Sequence, residues 1–79
     1  MSANVQADRE ITCRGMRCPL PVMYTRKALA AMTRGQILRV VATDPGSVDD
    51  IVEFSRRGYA EVVSVHAAAG DRVVVLRKP

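Results

Sequence analysis

Residues 36–47, QILRVVATDPGS, read as a strand that stops and a helix that begins. The run 36–43 is rich in aliphatic and β-branched residues. Leu38, Val40 and Ala42 alternate onto one face, as in a half-buried strand. Asp44-Pro45-Gly46-Ser47 breaks that run. Ser47 is placed to cap the helix that follows, and Asp49, Asp50 and Glu53 suit its positively polarised start. Val48, Ile51, Val52 and Phe54 supply a buried side, Arg56 and Arg57 suit the negative end, and Gly58 stops the helix.

Downstream, residues 61–67 form a third strand, 68–71 (AAGD) a hairpin turn and 72–77 (RVVVLR) a fourth strand. Upstream, the pattern alternates over 9–13, which reads as the first strand. Residues 14–17 (RGMR) are a loop with a glycine turn residue. Pro19 suits the first position of a helix, because its missing N–H has no intrahelical partner there. Val22, Thr25, Leu29 and Met32 recur at helical spacing, and Gly35 is placed to end the helix. The order is β-α-β-α-β-β. Right-handed crossovers then place both helices on one face of a four-stranded mixed sheet, giving a two-layer α/β sandwich. Residues 1–7 read as a flexible tail and 8–79 as one domain.

The composition narrows the function. A chain of 79 residues has no room for an internal cofactor cavity, and no cofactor or metal is expected. Apolar residues at 48% and charged residues at 25% are ordinary for a globular domain. The formal net charge is +4, but the twelve basic residues are scattered and the aromatics are only Tyr24, Phe54 and Tyr59. A dense basic patch with interleaved aromatics is missing, so direct contact with nucleic acid is not expected. No run approaches transmembrane length, and residues 1–7 lack the features of a signal peptide. A cytoplasmic location follows, where thiols stay reduced.

Cys18 is the residue that carries chemistry. It follows the basic loop containing Arg14 and Arg17 and precedes a helix start, where unpaired N–H groups favour a thiolate. The expectation is a lowered thiol pKa. Pro19 and Pro21 stiffen the corner, with the N–H of Leu20 available to the sulfur. A cysteine hydrolase needs a histidine base, and the only histidine, His66, lies far off on the third strand as a sheet-face residue. Cys13 and Cys18 match neither a C-x-x-C redox pair nor a zinc site. Cys13 aligns with Ile11 and reads as a packing residue. One activated thiol without a general base suits carrying a group. The alternative is an inert, buried Cys18.

The stretch 14–21, RGMRCPLP, resembles the TusA (SirA-like) sulfur-carrier family, whose signature is Cys-Pro-x-Pro after an Arg-Gly-hydrophobic-basic lead. The resemblance returns at Ala42-Thr43-Asp44-Pro45 and at Gly58, and spans about residues 9–78. Thr12 stands where family members often have Asp. The resemblance implies a β-α-β-α-β-β sandwich and assigns the functional cysteine to Cys18, with Pro19 and Pro21 as the motif's prolines. It implies a cysteine desulfurase or rhodanese-like sulfur donor and a sulfur-acceptor protein, in tRNA thiolation, molybdenum cofactor assembly or sulfur oxidation. Pro19, Leu20 and Pro21 are expected to shape the site, and Arg14 and Arg17 to face an acidic partner. The competing function is a regulatory or RNA- or protein-binding module with a basic surface and no sulfur chemistry.

Overall fold

The computed structural model describes residues 6–79. Of the tail expected over residues 1–7, residues 1–5 lie outside the described residues. Strand β1 is Arg9–Cys13, helix α1 Leu20–Ala30, strand β2 Ile37–Ala42 and helix α2 Pro45–Phe54. A widened helical turn over Ser55–Tyr59 leads to strand β3, Glu61–Ala68, and strand β4 is Asp71–Arg77. The expected order is therefore present, with most ends within one or two residues.

The strands form one sheet in the order β1-β2-β4-β3. β1 runs parallel to β2 with Cys13 opposite Ala42, while β4 is antiparallel to both β2 and β3. The alternation in β2 works as anticipated: Leu38, Val40 and Ala42 join Val74 and Leu76 of β4 in the buried core, against Ala28 and Leu29 of α1 and Ile51 of α2. Both helices thus cover the same face of the sheet. Packing this apolar layer is the main force available to a domain of this size.

Local signals placed some helix ends wrongly. Pro19 is the residue before α1, not its first residue, and Pro21 lies within the first turn. α1 stops at Ala30, where Ala31 and Met32 close back on Ala28 and Leu29. Gly35 comes later, in the turn into β2, with φ +88° and its N–H bonded to the Lys78 carbonyl. α2 is capped by Asp44, whose carboxylate accepts from the Gly46 N–H, and not by Ser47. Ser47 is instead buried in the first turn, where its hydroxyl reaches Asp44. Gly58 ends the second helical segment as expected, with φ +95°, a conformation that favours glycine.

Because β1 and β2 are parallel neighbours, both leave the sheet at the same end. Each then turns into a helix on the same face. The loop carrying Cys18 therefore lies beside the loop carrying Thr43 and Asp44, although 26 positions separate Cys18 from Asp44. No helix among the described residues is long and apolar enough to cross a membrane.

Candidate functional site

The loop between β1 and α1 is anchored at several points. Gly15 turns it with φ +77°, and its N–H donates to Thr43 Oγ1 at 2.9 Å. The Arg14 guanidinium forms a two-pronged pair with Asp71 at the start of β4, at 3.0 and 2.8 Å. The Cys18 N–H donates to Asp44 Oδ2 at 3.0 Å. Asp44 thus serves two elements, since it also caps α2. These bonds to Cys18 and Gly46, with Ser47 and Arg17 adding to them, hold its carboxyl below the usual carboxylate range.

Cys18 is exposed and Cys13 is buried, as the helix-start position of the first and the strand alternation of the second led us to expect. Burial alone pushes the Cys13 thiol up. The Cys18–Pro19 peptide bond is cis. The Cys18 Sγ donates a hydrogen bond to Asp50 Oδ2 on α2. This contact reverses the expected electrostatics. The hydrogen bond to Asp50 raises the Cys18 pKa, and desolvation and the negative charges of Asp50 and Asp44 push it the same way. The helix start is present, but a carboxylate touching the sulfur outweighs a diffuse partial charge.

Two further expectations change. The Leu20 N–H is bonded to the Arg17 carbonyl at 2.9 Å and is not directed to the sulfur. Pro21 is fully buried, and its carbonyl accepts from Thr25 Oγ1 at 2.8 Å, so it belongs to the core as much as to the corner. Arg14 is held by Asp71, whereas Arg17 remains exposed at the thiol with Asp44 as a charged neighbour. His66 sits exposed on β3, opposite Val73, on the face of the sheet without helices.

A groove of about 390 Å³ is shared by residues of α1, α2 and the turn after α2. Pro19 and Asp50, which flank the thiol contact, both line it, as do Met23 and Arg26. Phe54 and Tyr59 line it too and stack with centroids 5.1 Å apart. Met23 and Tyr59 are more than half exposed, which gives the groove an apolar border. Asp50 is the residue that sequence reasoning missed. It was read only as a complement to the helix end. The parallel β1-β2 pairing was the available signal, because it brings the start of α2 to the start of α1.

Fold and site together define a small two-layer α/β protein that presents one thiol where two parallel β-α corners meet. The family model described as Sulfurtransferase TusA matches residues 9–78, and the chain belongs to this family of sulfur carriers. It is similar to Sulfur carrier protein TusA of Allochromatium vinosum, at 38% identity over 71 residues, covering 90% of this chain and 93% of that protein. The solved SirA-like protein from Desulfitobacterium hafniense shares the fold, with a TM-score of 0.77 at 21% identity. That match covers 87% of this chain and 95% of the other.

Proposed function

We propose that this protein is a sulfurtransferase that carries sulfane sulfur as a persulfide on Cys18. It accepts the sulfur from a cysteine desulfurase or a rhodanese-like donor and relays it to an acceptor protein. The supply would serve tRNA thiolation, molybdenum cofactor assembly or sulfur oxidation. The observation that carries this reading is the exposed Cys18 on a loop fixed by Thr43, Asp44 and Asp71, beside an open groove. A second protein can reach such a sulfur, and a fixed loop limits the orientations that must be searched before transfer. Family membership as a sulfur carrier supports the same reading. Pro19, Leu20 and Pro21 shape the corner, and Arg17 offers a cation to an acidic partner. The chemistry suits the reducing cytoplasm, where a thiol persists unless a donor loads it.

The test is loading followed by intact-mass analysis. Incubation with a desulfurase and cysteine, or with a rhodanese fed thiosulfate, should add one sulfur atom to the wild-type chain. Cys18→Ser should abolish the addition while Cys13 remains. A serine variant that still gains sulfur would show that the carrier residue lies elsewhere.

A further inference from the structure

Resting on that sulfur-carrier reading, we propose that Asp50 is the proton acceptor for Cys18, taking the Sγ proton as the sulfur attacks a persulfide donor and returning it to the donor's leaving sulfur. The primary observation is the direct hydrogen bond from Sγ to Asp50 Oδ2. A proton acceptor must lie within hydrogen-bond reach of the proton it takes. His66 is not available for this role. It pairs with Val73 on the helix-free side and lines a separate cleft with Glu10, Arg14 and Asp71.

The placement is built by the fold. Asp50 is on α2 and Cys18 on the loop before α1, so local chain geometry does not explain their meeting. The parallel β1-β2 pair aligns the two corners, and Asp44 fastens the Cys18 backbone to the cap of α2. Asp50 is half-buried and lines the groove together with Pro19, the residue after Cys18, so a donor entering there comes up to the carboxylate that the sulfur contacts.

The step balances without an added oxidant. A lone pair on Sγ forms a bond to the terminal sulfur of a donor R–S–SH. The donor's own S–S bond breaks, and its electron pair stays on R–S. The proton passes from Sγ to Asp50 and then to R–S. The products are R–SH and Cys18–S–SH, with no net change in oxidation state. Before the donor arrives, the same carboxylate keeps the sulfur as a neutral thiol, which is the less reactive form.

The charged groups around this pair come from every neighbouring element. Arg17 lies on the loop, Arg26 on α1, Asp44 at the cap of α2 and Glu53 on α2; Arg57 lies in the following turn, 4.0 Å from Glu53. Asp50 is distinguished from the other acids by its contact with the sulfur itself. Asp44 is committed to the N–H groups of Cys18 and Gly46.

The decisive variant is Asp50→Asn, which keeps the shape and removes both the charge and the proton acceptor. Two readouts are needed: the pH profile of iodoacetamide alkylation at Cys18, and single-turnover loading from a desulfurase persulfide followed by mass. Loss of the carboxylate should lower the alkylation midpoint, so that the thiolate forms more readily. Loading should nevertheless slow by about a hundredfold, the low end of what a positioned base contributes. Asp50→Glu should recover part of the loading rate, because it restores a carboxylate. Opposite movements of alkylation and loading are not what a merely structural role gives. An unchanged alkylation midpoint would overturn the proposal, as would loading at the wild-type rate. So would loading that rises with alkylation, which would make Asp50 only a brake. Cys18→Ser runs in parallel: if that variant takes up sulfur, the carrier reading itself fails. If it does not, and Asp50→Asn loads normally, only the role of Asp50 falls.

Discussion

At Cys18 two electrostatic influences compete, and distance decides between them. The start of α1 favours the thiolate, while Asp50 in contact and Asp44 close by favour the thiol. Screening in solvent weakens the more distant contributions most. The thiol therefore sits above its ordinary pKa despite its place at a helix start. Reactivity toward a small alkylating agent depends on access as well as on ionisation. Cys13 is buried against the core with its own pKa raised, and it can react only when the structure opens locally. Iodoacetamide should accordingly modify Cys18 faster than Cys13 by on the order of tenfold or more, because only Cys13 must wait for an opening. The Cys18 rate should keep rising with pH beyond the range where an ordinary free cysteine levels off. Peptide mapping across a pH series checks both statements, and equal labelling of the two sites would remove the division of roles between them.

Among the elements, α1 shows where similar residues do different work. Pro19 is exposed at the corner, but Pro21 is buried beneath the helix. Pro19→Ala should change stability by within about 1 kcal/mol, chiefly through the unfolded chain. Pro21→Ala removes roughly two buried methylenes and should cost about 1–2 kcal/mol at about 0.8 kcal/mol each. Urea unfolding separates the two, and equal midpoints for the two variants would contradict the burial of Pro21. Sequence reasoning placed both prolines in the first turn without distinguishing them, since helical periodicity over two residues does not say which one faces the sheet. The same limit explains the cap of α2. Asp44 and Ser47 are both good capping residues, and only the neighbouring loop, which also needs the Asp44 carboxylate, selects between them. The strands were more legible because alternation of period two fixes a face over several residues at once, as Leu38, Val40 and Ala42 show. The exposure of Cys18 was legible from its place before a helix start, but its contact with Asp50 was not, because 32 positions separate them and no local rule joins them.

On the scale of the whole molecule, the sheet order determines which charges surround the thiol. β4 inserts beside β2, which brings Asp71 at its start within reach of Arg14 in the first loop. The two arginines that flank Cys18 in sequence are thereby assigned different work. Arg14 ties the loop to β4, while Arg17 stays exposed beside Asp44. On the proposed carrier reading, a protein partner approaching Cys18 would meet Arg17, a cation that is not held in a two-pronged pair. Charges at the rim of an interface act mainly on association rate, and salt screens that action. Arg17→Glu should therefore slow sulfur loading at low ionic strength, with the difference from wild type shrinking as salt is added. Alkylation of Cys18 by neutral iodoacetamide should change much less, because no charged partner has to dock. Arg14→Glu should behave differently. It places like charges where Arg14 and Asp71 now pair, so it should loosen the loop and lower the urea midpoint, leaving a loading defect that salt does not abolish. Stopped-flow or quenched loading over a salt series, run on both variants with unfolding curves alongside, separates the two effects. If Arg17→Glu loads at the wild-type rate at every ionic strength, the partner does not read this cation. If Arg14→Glu shows a purely salt-dependent defect with an unchanged urea midpoint, the pair with Asp71 does not hold the loop in solution.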